Sequence, residues 1–170
     1  MKNNGSLYYT TFRLSKISFK IFTTKKGVHK IHLNDKSIAP KALKAITLQS
    51  DDPYLFDIYK QLDEYFNRKR KKFDIPLDIT GTDFQKKVWK EIAKIPYGKV
   101  LSYKEIAKKV GGKNYVRAVG RANGRNPVPI IIPCHRVVES NGRIGGYSVG
   151  VDIKERLLEL EGSLSIGLFQ

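Results

Sequence analysis

The sequence of 170 residues contains a single thiol, Cys134. It stands in the string Ile130-Ile131-Ile132-Pro133-Cys134-His135-Arg136-Val137-Val138. A thiol attacks carbon as the thiolate, and a neighbouring base or cation favours that form. His135 and Arg136 supply both kinds of neighbour. A lone cysteine after an apolar run also reads as a small buried hydrophobe, so the string by itself leaves a nucleophile and a structural residue open. One Cys excludes an intrachain disulfide and a Cys-rich zinc site. His29 and His32 fall on opposite faces if Val28–Leu33 alternates as a strand, which argues against a shared metal site. No metal and no cofactor is expected.

The charge says what such a thiol would meet. The net charge is +16, with 16 Lys+Arg and 8 Asp+Glu in residues 1–80 and the same numbers in residues 81–170. This favours a polyanionic partner. No acidic residue lies between Glu105 and Glu139, whereas Lys108, Lys109, Lys113, Arg117, Arg121, Arg125 and Arg136 do. An acid-free basic stretch suits phosphate contact. The run Arg68-Lys69-Arg70-Lys71-Lys72 reads instead as a solvated helix end. No stretch of about 20 apolar residues suggests a membrane span, and the N-terminus lacks the apolar core of a signal peptide. The expected location is the cytoplasm, or the nucleus in a eukaryote.

These residues need elements to position them. Tyr8–Leu14, Ile17–Thr23 and Val28–Leu33 are rich in β-branched and aromatic residues and read as strands, with Lys25-Lys26-Gly27 as a turn. Residues 34–52 carry no clear signal. Pro53–Arg70 has apolar residues at helical spacing. Phe73–Ile79 alternates around Pro76 and reads as an extended connector or edge strand. A domain boundary is placed there, giving residues 1–79 and 80–170.

The second half is punctuated by helix caps. Thr82-Asp83-Phe84-Gln85 and Ser102-Tyr103-Lys104-Glu105 are capping boxes. The first opens a helix with Phe84, Val88, Ile92 and Ile95 on one face, stopped by Pro96-Tyr97-Gly98-Lys99. The second opens a helix to about Val110, ended by Gly111-Gly112. A third helix covers about Tyr115–Gly124. Helix, short Gly-containing turn and helix form the helix-turn-helix pattern. Arg117, Arg121 and Arg125 share one face if the third helix persists that far, and the small residues Ala118 and Gly120 permit close backbone approach. Major-groove reading is usual for such a helix, but small residues and arginines suit a shallow minor groove equally. Asn126-Pro127 imposes a turn that brings Cys134 behind this helix. Asn141–Ser148 is a Gly-rich loop, a last helix capped by Asp152 runs to about Glu161, and Ser163–Gln170 reads as a loosely held tail. The expected class is α+β: a small N-terminal αβ domain with an antiparallel sheet, then a mainly helical domain with a helix-turn-helix.

The Pro133–Val138 string resembles the active-site signature of the O6-alkylguanine-DNA alkyltransferases. The resemblance extends over Gly81–Gly162, through Pro96–Val100, Ser102-Tyr103, Arg117–Gly120, Asn126-Pro127, Gly145–Ser148 and Leu160–Gly162. The N-terminal half resembles the family's small αβ domain loosely. The resemblance implies a DNA-repair methyltransferase that binds duplex DNA as a monomer, cooperatively or not, through the minor groove. It flips out an O6-alkylguanine, or an O4-alkylthymine, and takes the alkyl group irreversibly onto Cys134. On this pattern His135 is the base and Glu161 its orienting carboxylate. Tyr103 donates to the guanine ring nitrogen, and the Ser148 backbone N–H donates to O6. The carbonyls of Cys134 and Val137 accept from the exocyclic amine, Tyr147 lines the pocket, and Asn126 fixes the turn. Arg117 is the finger that fills the gap left by the base. Ser102, Lys113, Ala118, Gly120, Arg121 and Arg125 complete the DNA-facing set. Arg136 serves either a DNA phosphate or an internal carboxylate. Two other readings differ in kind: a DNA binder whose Cys134 is inert, and a Cys-His hydrolase unrelated to DNA.

Overall fold

The computed structural model describes residues 7–35, 46–47 and 52–163. The chain divides into two compact units, residues 1–79 and 80–170.

In the first unit, β1 (Tyr8–Leu14), β2 (Ile17–Thr24) and β3 (Gly27–Leu33) form an antiparallel meander, and β4 (Ile46–Thr47) adds in parallel to β1, giving the order β3-β2-β1-β4. Ser15 and Lys16 both take positive φ, 47° and 64°, as a two-residue hairpin loop requires. The alternation expected over Val28–Leu33 fails at one point. Thr23 pairs with Val28 and Phe22 with Lys30, so His29 is the extra residue of a β-bulge. Val28 therefore joins Ile31 and Leu33 in the core, all three buried. Gly27 faces the connector so closely that a Cβ there would sit 2.4 Å from the Pro76 carbonyl oxygen. Leu77 bridges in parallel to Val28.

Helix α1 (Pro53–Phe66) is shorter than its periodicity suggests. Asp52 caps it, accepting from the N–H groups of Tyr54 and Leu55. Asn67 closes it, and Arg68 turns to a φ of 59°. The run Arg68–Lys72 thus lies in turns beyond the helix, where Arg70 pairs with Glu64 at 2.8 Å. Most of the uncertain span 34–52 lies outside the described residues, as does the tail after Ser163.

The second unit holds α2 (Asp83–Ala93), β5 (Leu101–Ser102), α3 (Tyr103–Val110), α4 (Val116–Gly124), β6 (Val137–Val138) and α5 (Val151–Leu160). Both capping boxes are complete: Thr82 with Gln85, and Ser102 with Glu105. Helix α4 begins one residue later than expected, after a 3-10 turn over Lys113–Tyr115. It also ends before Arg125, which is its C-cap. Asp152 does not cap α5; Gly150 holds that position and Asp152 lies inside the first turn. Trp89, which the apolar pattern of α2 did not single out, is buried and donates Nε1–H to the Ala122 carbonyl at 2.8 Å, fastening α2 to α4. No helix among the described residues is long and apolar enough to cross a membrane.

Candidate active site

Cys134 opens a 3-10 turn, Cys134–Arg136, that runs directly into β6. β6 pairs in parallel with β5, Leu101 opposite Val137 and Ser102 opposite Val138. This small pairing places Tyr103, the first residue of α3, beside the cysteine turn. The chain arrives there from α4 through a strained turn: Ile130 is fully buried yet has φ of 76°, costly for a β-branched residue. Asn126 holds this turn. Its Nδ2 donates to the Ile132 carbonyl at 2.7 Å and its Oδ1 accepts from the Val128 N–H at 3.1 Å.

Cys134 is 2% exposed. Burial raises its pKa; hydrogen bonds from the Asn126 and Tyr147 side chains and the charge of Lys154 work against that rise. The resting group is therefore a thiol, and its reaction needs a base. Sγ lies 3.7 Å from the Tyr147 hydroxyl.

The neighbouring base is ready. His135 is fully buried, and burial lowers its pKa despite the opposing effect of Glu161. Its Nε2 meets Glu161 Oε1 at 2.9 Å. A carboxylate only accepts, so Nε2 carries the hydrogen and Nδ1 is the unprotonated nitrogen. Nδ1 is buried with no hydrogen-bond partner among the described residues.

Glu161 sits at the C-terminus of α5, where the helix dipole disfavours an anion. Its surroundings overcome this. Arg136 Nε and Nη2 reach the two carboxylate oxygens at 2.8 Å each, and Nη1 donates to the Ile95 carbonyl at 2.6 Å. The Arg136 guanidinium also lies 5.8 Å from the centre of the Tyr97 ring. The Gly98 N–H adds a donor to Glu161 at 3.3 Å. Burial alone would raise the Glu161 pKa, but the hydrogen bonds from His135 and Arg136 reverse this and hold it at about 2. Of the two partners considered for Arg136, the structure selects the internal carboxylate.

Lys154 was not expected. It is fully buried on α5, with Nζ 2.7 Å from the Val137 carbonyl and 2.6 Å from that of Ile144. Burial lowers its pKa to about 8, against the opposing influence of Cys134 and Glu139. A helical wheel would have flagged it, since it shares the inward face of Leu157, Leu158 and Glu161. Its bond occupies one side of the Val137 carbonyl. The Cys134 carbonyl, for its part, already accepts from the Val137 N–H and from Asn123 Nδ2.

Tyr103, Gly120, Asn123, Gly124, Gly146, Tyr147 and Ser148 line a cleft of about 250 Å³. A Cβ at Gly120 or Gly146 would meet nothing within 4 Å. Arg117, Arg121 and Arg125 are exposed on α4 and its cap, as is Lys113 on the turn before it; Ala118 is half-buried. The Ser102 hydroxyl is engaged in its cap, 2.7 Å from Glu105 Oε2. Sequence and structure together place a buried thiol, a neutral imidazole on a clamped carboxylate, and a small cleft inside a basic helix-turn-helix unit.

Two family matches cover most of the chain. Residues 83–163 match the 6-O-methylguanine DNA methyltransferase, DNA binding domain, and residues 7–79 match the ribonuclease-like domain of the same family. A methylated-DNA–protein-cysteine methyltransferase of Methanosarcina mazei is 41% identical over 156 residues, 91% of this chain and 97% of that protein. The inducible protein of that name from Bacillus subtilis is 38% identical over 94% of this chain and 92% of its own length. The crystal structure of Mycobacterium tuberculosis OGT in complex with DNA superposes with a TM-score of 0.82 at 36% identity, covering 92% of this chain and 93% of that one.

Proposed function

Since the chain belongs to the 6-O-methylguanine DNA methyltransferase family, we propose that it repairs alkylated duplex DNA by moving the alkyl group from guanine O6 onto Cys134, once per molecule. O4-alkylthymine is a second substrate on this reading. The observation that carries it is the buried set of Cys134, His135 and Glu161, in which His135 Nε2 binds Glu161 and Nδ1 has no hydrogen-bond partner among the described residues.

The reaction follows from the chemistry of these groups. O6 is out of reach inside a base pair, so the nucleotide must leave the stack. The α4 side chains enter the minor groove, and Arg117 fills the space the base vacates. The base enters the cleft between Tyr103 and the Gly145–Ser148 loop, where Tyr147 covers it and the Ser148 N–H donates to O6. His135 Nδ1 takes the Cys134 proton, directly or through one water, and Glu161 stabilises the resulting imidazolium. The S–C bond forms as the O6–C bond breaks. Tyr103 donates a proton to the ring nitrogen N3, so guanine leaves neutral. The thioether has no route back to a thiol here, which limits each molecule to one event. The carbonyl of Val137 keeps a second lone pair for the exocyclic amine. Lys113, Arg121 and Arg125 contact phosphates, and Ser102, through its cap, orients the start of α3.

The test is to incubate the protein with duplex DNA containing O6-methylguanine and measure the mass of the peptide carrying Cys134. A gain of one methyl group is expected. An unchanged mass under full DNA binding would leave a lesion binder with an inert thiol.

A further inference from the structure

The first unit carries a basic surface that the transfer reaction does not use. Residues 8–34, which make the β1–β3 meander, hold six Lys or Arg and no Asp or Glu. The sheet has two unlike faces. On one, Phe12 meets Tyr59 and Phe19 meets Phe66, edge to face, so α1 covers it. The other face is set by the register. Thr11 pairs with Lys20, Lys20 with His32, and Arg13 with Ser18. Cross-strand partners share a face, and so do residues two apart on one strand. Thr11, Arg13, Ser18, Lys20 and His32 therefore stand together on the face away from α1.

With Asp35, these five are among the walls of a cleft of about 320 Å³. Thr11, Arg13 and Ser18 are exposed, and Lys20 and His32 are half-buried. Arg13 and Lys20 are diagonal neighbours across β1 and β2, a separation of about 7–8 Å within reach of long side chains. Two cations so placed repel, and an anion between them removes the repulsion. The acid among the walls, Asp35, meets His32 Nδ1 at 3.1 Å. The cleft stays positive despite it: burial lowers the His32 pKa, and Lys30 and Lys20 press the same way against Asp35. A guanidinium fork, an ammonium and two hydroxyls make a donor set suited to the oxygens of a phosphate.

We propose that Arg13 and Lys20, with the Thr11 and Ser18 hydroxyls, form a binding site for a phosphate group, supplied by the DNA backbone or by a small phosphorylated molecule. The site is made of residues other than those of α4. It goes beyond the alkyltransferase reading, which draws no group from this sheet. The acid-free meander around the cleft favours the DNA backbone, because its positive field attracts a chain of phosphates rather than one.

The experiment titrates the full chain, labelled with 15N, with sodium phosphate against sodium chloride at equal ionic strength and follows the backbone amides. Those of Thr11, Arg13, Ser18 and Lys20 should shift saturably with phosphate and stay still with chloride. Arg13→Gln with Lys20→Gln should weaken this binding about tenfold or more, the loss of charge-assisted hydrogen bonds. Lys69→Gln with Lys72→Gln removes the same charge from exposed turns beyond α1 and should leave the binding unchanged. The dispersion of the same spectra reports whether each variant is folded. An undamaged duplex at saturation should displace the phosphate, which assigns the site to the DNA backbone. Phosphate that stays bound beside the duplex assigns it to a small phosphorylated molecule. No saturable shift at these amides, or equal weakening by both pairs of substitutions, overturns the site. Methylation of Cys134 is measured separately, so failure of the transfer reading leaves this result standing.

Discussion

The two units have almost the same charge inventory and use it in opposite ways. Among the described residues of the first unit the ion pairs are local and partly exposed. Arg70 meets Glu64 with both side chains about a quarter exposed, and His32 meets Asp35 three residues away. In residues 80–163 four ionisable groups go inward and converge: Glu161 and His135 are fully buried side chains, Arg136 nearly so, and Lys154 supports the same turn from behind. The side chains that bind Glu161, Arg136 and His135, come from 25 and 26 residues away. Composition therefore does not locate the chemistry; burial with shared partners does. The first unit's ion pairs can be lost cheaply, and the second unit's buried pairs on Glu161 cannot.

This contrast can be broken at several points, beginning with the largest effect. Cys134→Ser should abolish methyl transfer while leaving affinity for the duplex near the wild-type value, measured by fluorescence anisotropy. Retained transfer would move the nucleophile elsewhere.

Glu161→Gln leaves Arg136 buried without its counter-charge and should destabilise the fold by about 3–5 kcal/mol in urea titrations. The same pair sets an acid limit. The folded pKa of Glu161 is about 2 against an ordinary 4.5, so its ionised form stabilises the fold above pH 4.5, and that stability is lost as pH falls toward 2. The contribution is on the order of 3 kcal/mol. A wild-type stability curve flat from pH 5 to pH 2 would contradict the clamp. Transfer should decline on acidification only at a lower pH than an ordinary imidazole base would impose, because burial lowers the His135 pKa.

Arg117→Ala should separate binding from chemistry. On the proposed finger role, its loss should slow repair of duplex DNA about a hundredfold, the cost of a few kcal/mol in base extrusion. Reaction with free O6-methylguanine base should be nearly unchanged. Equal losses on both substrates would count against the finger role. In the first unit Arg70→Ala removes a partly exposed ion pair and should cost about 0.5 kcal/mol. A loss comparable to that of Glu161→Gln would erase the contrast.

The parts legible in sequence are those whose signals are local. Thr82 with Gln85 and Ser102 with Glu105 announce their helices within four residues, and both caps form as read. The hairpins of β1–β3 are equally local. The bulge at His29 is not, because it depends on how β3 registers against β2, and strict alternation misplaced Val28. Helix α1 ended early because Asn67 and Arg68 left the helical region, although Arg and Lys are good helix formers. At the site, Cys134 and His135 stand together in one string, whereas Tyr103 was implied only by the family resemblance. Arg136 stayed ambiguous until its fork was seen on Glu161, since a guanidinium suits phosphate and carboxylate alike. Asn123 and Lys154 were missed because each is a polar residue at an inward helical position, beside Val119 and Ala122 in one case and Leu157 and Leu158 in the other. Such a residue marks a partner across the fold, and the partner's identity is tertiary information.

The central claim is a single irreversible transfer onto the second unit's thiol. It is tested most directly by adding excess duplex carrying radiolabelled O6-methylguanine to a known amount of protein and following the label. The label in protein should rise to one methyl per chain and stop, with guanine restored in equal amount. Restoration of guanine beyond one equivalent, or a plateau with no label on the protein, would contradict it.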